Sequence, residues 1–445
     1  MRLRLERFLE LARYWLLPLF LGFVIGLGIF ALVCIYRLLN CASLLIVNLN
    51  PFFIIVSTVI ALCGGYLTVK LFAENKECGC GTEFLIERYH CKDGLVCLRD
   101  TTSKTLASLI TIGFGGSAGL EGPSLLLGGG FSSVITRRLK MSQKEVKTLF
   151  LCGAAAGFSA IFKAPLSAIL LALEIPYKRD VETEVFVQAS IASVTAYFTS
   201  VVTLGTETIF PSSVSVPPTF SALLHAIVIG VLTALVALVF METLDRTNAV
   251  SRWLAVKFPM FLMSGFVGLT LGILGLFYPE ALGLGYDFIH KITINELGQL
   301  SIATLVALLI LKIVATSLTM NFGGSGGLFI PSLYVGGTLG LIYAQMIGLE
   351  PTVLYVTLAM SAMLAATSKS LLTSIALVAE TVGPSFIIPT VVSASISYFF
   401  TGSRSFYKSQ LTRRSDGSAS LGSIVEHSSV NSKRLVQTTK PEMPL

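Results

Sequence analysis

An all-α integral membrane protein, an inverted internal repeat with many tilted and broken transmembrane helices, is the fold class that the sequence predicts. Three observations predict it. The chain is rich in apolar residues and poor in charge; several of its uncharged runs are long enough to cross a bilayer; and two different motifs each occur twice at nearly the same spacing.

Composition excludes the soluble classes first. Of 445 residues, 53% are hydrophobic and 13% charged, about half the charge of an ordinary soluble chain. The charge-poor runs are Trp15–Tyr36, Pro51–Val69, Val185–Leu204, Ala222–Phe240, Phe258–Phe277 and Leu300–Leu311. Several approach or reach the ~20 residues that span a ~30 Å hydrocarbon core. The first run follows Arg2, Arg4 and Arg7 and is too long for the apolar part of a cleaved signal peptide. Basic flanks stay in the cytoplasm, so residues 1–13 are expected there.

Residues 412–445 form a basic, Ser/Thr-rich tail with Arg413, Arg414, Lys433 and Arg434, expected to be cytoplasmic and disordered. A multi-pass protein of the cell membrane with both termini inside follows. The net charge of +7 then reflects membrane topology and calls for no nucleic-acid partner. Cys34, Cys63 and Cys152 lie in apolar segments and read as small core residues. Cys78, Cys80, Cys91 and Cys97 cluster around His90, but their C-x-C start does not match zinc-ligand spacing. No metal site is expected.

The duplication organises the rest. Phe114–Gly129 reads FGGSAGLEGPSLLLGG and Phe322–Gly337 reads FGGSGGLFIPSLYVGG, an offset of 208. Lys163–Glu174, KAPLSAILLALE, returns as Lys369–Glu380, KSLLTSIALVAE, at an offset of 206. One transmembrane domain over residues 14–411, with halves of about 14–208 and 215–411, accounts for both. Repeats of this kind place the transported species where the halves meet, between broken helices. The FGGS segments supply the breaks, since Gly and Pro interrupt their apolar surroundings. Leu166–Leu173 and Leu371–Leu377 are too short to span.

A glycine-rich turn that opens a helix presents free amide N–H groups and the positive end of the helix dipole. Such a turn attracts anions without a fixed cation, which suits conduction because the ion must also leave. Glu121 is the single acid in the first turn; the second repeat has Phe329 nearby. An ionisable group at membrane depth is a functional candidate. Its carboxylate competes with a passing anion for the same amides, which makes Glu121 a gate or a proton carrier.

These residues resemble the CLC family of chloride channels and chloride–proton antiporters. Gly119–Pro123, GLEGP, is similar to the family's GREGP; Gly327–Pro331, GLFIP, fits GxFxP; Gly79–Glu83, GCGTE, stands where the family has GSGIP. Phe406-Tyr407 follows the last apolar run, where the family has its pore tyrosine, and Gly153–Glu174 is similar throughout. The resemblance covers about residues 15–411. It implies a homodimer with one chloride pore per subunit, with bound chloride ions as the only cofactors. It further implies a gate at Glu121, and anion contacts from Cys80, Leu120, Glu121, Gly122, Leu328, Phe329, Ile330 and Tyr407.

Three departures modify what it implies. Cys80 replaces the central serine with a weaker donor. Leu120 replaces a basic residue at the outer mouth. Ile175 stands at the internal proton-transfer glutamate of the family's exchangers, after Glu174, which leaves Glu121 and Glu174 as the possible proton path. Ile175 therefore favours passive conduction, with chloride–proton exchange as the alternative. Remoter readings are a cation-coupled solute carrier, which would show sodium-dependent uptake, and an intramembrane serine protease using G-x-S-x-G at Ser117 or Ser325. A protease needs a base beside its serine, and His225 is the one histidine central to an apolar helix. No enzymatic function is expected.

Overall fold

A computed structural model describes residues 2–207, 209–210, 219–297 and 300–416, with side chains from residue 13 onward. Among these residues the α-helices run in two series of eight, with one short strand at a different place in each. The first is α1 (Arg2–Leu49), α2 (Phe53–Phe72), β1 (Gly79–Cys80), α3 (Gly81–Cys91), α4 (Leu98–Gly113), α5 (Glu121–Arg138), α6 (Gln143–Phe162), α7 (Pro165–Glu174) and α8 (Phe186–Leu204). The second is α9 (Phe220–Ala255), α10 (Met260–Phe277), α11 (Tyr286–Thr293), α12 (Ile302–Asn321), β2 (Ser325–Gly326), α13 (Phe329–Ile347), α14 (Thr352–Ser368), α15 (Leu371–Thr381) and α16 (Ile387–Phe400). The fold is all-α; among the described residues the extended pairing is one two-residue parallel match of β1 with β2 and two isolated bridges.

Among the described residues eight helices are long and apolar enough to cross a membrane, and each of the six uncharged runs of the sequence falls largely in one of them. The two short apolar runs are the ten-residue α7 and the eleven-residue α15, as expected. The helix α1 starts at Arg2, so the expected 1–13 segment continues into the first span. Residues 412–416 of the expected tail pack on the protein, and 417–445 lie outside the described residues.

The halves lock together through equivalent positions. Helices α6 and α14 both end on a left-handed lysine, Lys163 at φ 53° and Lys369 at φ 57°. Such a conformation costs a non-glycine residue about 1–2 kcal/mol, and each ammonium is anchored: Lys163 on the Glu207 carbonyl at 2.8 Å, Lys369 on the Tyr398 carbonyl at 2.9 Å. The chain then restarts as α7 and α15. Glu174, ending α7, accepts the Leu372 and Thr373 amides at 2.8 Å and the Thr373 hydroxyl at 2.7 Å. Glu380, near the end of α15, accepts the Leu166 and Ser167 amides at 2.8 and 2.7 Å and the Ser167 hydroxyl. Each half therefore caps the broken helix of the other, satisfying amides that lipid could not.

Close helix crossings also recur. A Cβ on Gly128 or Gly157 would overlap the backbone across the α5–α6 crossing, and one on Gly336 or Gly340 would do so across α13–α14. Small residues allow this approach, on which helix packing in lipid depends.

Candidate anion site

Three helix N-termini converge where the repeats meet. Cys80 precedes α3, Leu120 precedes α5 and Leu328 precedes α13. The turns are tied by backbone pairing. Gly79 and Cys80 lie against Ser325 and Gly326. Gly119 and Gly327 exchange N–H···O bonds of 2.9 and 2.8 Å. Equivalent residues that donate to each other in an antiparallel bridge are related by a local twofold axis, which turns the halves in opposite directions. The repeat is inverted.

Leu120, Gly122, Leu328, Phe329 and Ile330, whose amides the resemblance offers to an anion, are buried around these turns. Glu121 is wholly buried. The Phe329 N–H donates to its Oε1 at 2.5 Å, with the Ile330 amide alongside. Its Oε2 has no hydrogen-bond partner. The carboxylate of the first repeat thus sits on the first amides of α13, where about half an elementary charge of helix dipole is directed.

Tyr407 is 1% exposed. Its ring stacks on Phe329 with centroids 6.4 Å apart, and its hydroxyl is also unpartnered. Thr82, one turn residue beyond Gly81, has a buried hydroxyl in the same condition. Cys80, half-buried, lies within electrostatic reach of both Tyr407 and Glu121. Helix-start amides, a thiol and two unpartnered hydroxyls form a donor set for an anion. An unsatisfied buried group costs about 1–3 kcal/mol, and several around one point are offset by a ligand that accepts from all of them.

A model of the family described as voltage gated chloride channel matches residues 58–402. The chain belongs to this family. It is 29% identical over 343 residues to the H(+)/Cl(-) exchange transporter ClcA of Salmonella arizonae, covering 70% of this chain and 68% of that one. Its fold is similar to that of a CLC-type fluoride/proton antiporter, with TM-score 0.75, 25% identity, and 91% and 98% of the two chains covered. It also matches a slow cyanobacterial Cl-/H+ antiporter with TM-score 0.79, 20% identity, and 92% and 98% coverage. CLC family membership makes this protein an anion transporter of the membrane.

The other candidates raised by the sequence fall elsewhere in this CLC framework. Glu174 has both oxygens engaged in capping α15, and Ile175 is buried at 1% exposure. Ser117 bonds Thr316 at 2.9 Å, and His225 bonds Tyr343 at 2.7 Å, so neither belongs to a serine–histidine pair. His90 bonds the Pro176 carbonyl at 2.8 Å, and the described cysteines form no metal-ligand group with it.

Two residues gave too weak a signal in the sequence to be singled out. Lys312 is fully buried in α12, its Nζ donating to the Gly283 carbonyl at 3.0 Å and lying 4.9 Å above the Tyr334 ring. Its signal was a lone cation in an apolar run. Glu83, in the first turn of α3, gave only the signal of an ordinary helix-start acid.

Proposed function

We propose that the protein exchanges chloride for protons across the cell membrane, with Glu121 as gate and proton carrier and one pathway in each subunit of a homodimer. The observation that carries this reading is the Glu121 carboxylate seated on the Phe329 amide. Ionised, it holds the donors that a halide needs; protonated, it loses most of that attraction and yields them. One group thereby alternates with the anion and takes up a proton on each exchange. Chloride contacts come from the amides of Leu120–Gly122 and Leu328–Ile330, the Cys80 thiol and the Tyr407 hydroxyl.

Ile175 favoured passive conduction in the sequence. The named relatives are exchangers, and exchange is the reading they favour. An apolar side chain at one position does not bar protons that arrive by another. Glu174 is a cap on this reading rather than a relay.

Orientation follows from charge. Arg137 and Arg138 end α5 and Lys140 follows it, and ion pairs join Lys144 to Glu184 at 2.7 Å, Lys147 to Asp93 at 3.5 Å and Arg414 to Glu182 at 3.0 Å. A face so rich in cations is cytoplasmic by the positive-inside rule. The last described residues lie on it. So does the end of α2, where the Glu74 amide meets Asp100, so the start of α1 falls on the same side.

Purified protein in liposomes tests the function. A chloride gradient should drive protons against their own gradient, and Glu121→Gln should abolish proton movement and flatten the pH dependence of chloride flux. A wild-type reversal potential indifferent to pH would return the protein to passive conduction. Liposomes loaded with fluoride in parallel check the anion: fluoride flux without chloride flux would overturn the choice of chloride.

A further inference from the structure

We infer that Glu83 is the inner proton acceptor of this protein, the group that collects protons from the cytoplasm and passes them toward Glu121. The assignment rests on the exchange reading above. Among the described residues only two carboxylates carry a buried oxygen without a hydrogen-bond partner, Glu121 Oε2 and Glu83 Oε2. A carboxylate with a free lone pair can take a proton without first breaking a bond. Glu174 is less suited, because each of its oxygens already caps α15 and protonation would weaken those bonds.

Position supports the same residue. Glu83 lines a cleft of about 90 Å³ together with Cys80, Glu77, Glu87, Lys104 and Ser325, with room for water. The cleft lies between the anion site and the basic face, since α3 follows Cys80 and runs from Gly81 to Cys91, and Asp93 beyond it pairs with Lys147. Glu83 Oε1 is held by the Ser409 amide at 3.0 Å and its hydroxyl at 2.8 Å. Ser409 lies two residues past Tyr407, so the acceptor is fastened to the strand that carries the pore tyrosine.

The charges facing Glu83 are Glu87 on its own helix, Glu77 and Lys104 across the cleft, and Lys178 and Lys408 from the cytoplasmic loops. Tyr407 feels the charge of both Glu83 and Glu121 and neighbours Thr82. The hydroxyls of Thr82 and Tyr407, both unpartnered, can each accept and donate. In one transfer, Glu83 carboxylate takes a cytoplasmic proton delivered as hydronium through the water of the cleft, which is left as neutral water. It then releases that proton through water and these hydroxyls to the Glu121 carboxylate, and is itself left ionised.

The test is the proton-to-chloride ratio in liposomes. Glu83→Gln should lower it at least tenfold, while Glu83→Asp, which keeps a carboxylate, should retain part of it. Ser409→Ala should move the pH midpoint of proton flux upward, because it removes a bond that favours the charged form; this variant decides the matter if E83Q does not assemble. A wild-type ratio in E83Q, or an unmoved midpoint in S409A, overturns the assignment to Glu83 alone. A wild-type protein that moves no protons overturns the exchange reading, and this assignment with it.

Discussion

Glu121 has two oxygens in different circumstances, one on the Phe329 amide and one buried without a partner. The second costs about 1–3 kcal/mol, which makes the seated carboxylate easier to displace. The space it occupies exists because Gly119 and Gly327 have no side chains: a Cβ on either would overlap the carboxylate. Moving a flexible carboxylate is cheaper than moving paired backbone, and at Gly119 the Cβ would meet only the Glu121 side chain, so Gly119→Ala should expel the carboxylate rather than unfold the turn. Chloride flux at neutral pH should then approach the level that wild type reaches only in acid, with a lower proton-to-chloride ratio. An unaltered pH profile in stopped-flow flux measurements would show that Glu121 does not need this seat.

At the scale of elements, the reciprocal caps carry the architecture. Glu174 and Glu380 each bridge to the opposite half with the same two amides and one hydroxyl. Hydrogen bonds to a charged group contribute about 1.5–3 kcal/mol each. Glu174→Gln exchanges one acceptor for a donor facing an N–H, and should lower stability by roughly that amount, read as thermal unfolding in detergent. Glu380→Gln should cost the same, and both should keep the proton-to-chloride ratio. Loss of coupling with undiminished stability in E174Q would make Glu174 a relay after all. The broken helices themselves were legible in the sequence, because glycine and proline in apolar surroundings signal a break locally. Which carboxylate fills which break was not, since the partners lie some 200 residues apart and only the twofold brings them together. Glu83 was illegible for a like reason: its distinguishing contact is with Ser409, 326 residues later.

Across the whole molecule, the chain closes on itself at the basic face, and that closure holds Tyr407. Beyond Tyr407, Leu411 pairs with Tyr177, and the Lys178 and Arg179 amides donate to the Leu411 and Thr412 carbonyls at 2.8 and 3.1 Å. The Arg414 amide then donates to Asp180 at 3.0 Å, and its guanidinium spans Glu182 and Glu184. The Arg414 and Val181 amides hold the Asp180 carboxyl below its usual range. A lowered folded-state value means that this carboxylate stabilises the closure at neutral pH, and that the contribution is lost as pH falls through the lowered value, below about 4. Exposed ion pairs alone contribute little, so the bond from Asp180 to the backbone is the one whose loss should register. Amide hydrogen exchange in nanodiscs should therefore quicken at residues 177–181 and 411–414 below about pH 4, and Asp180→Asn should reproduce the effect at neutral pH. Equal protection of these segments in D180N would mean that Tyr407 is anchored by its packing on Phe329 and by the Ser405–Gln410 contacts, with no help from the closure.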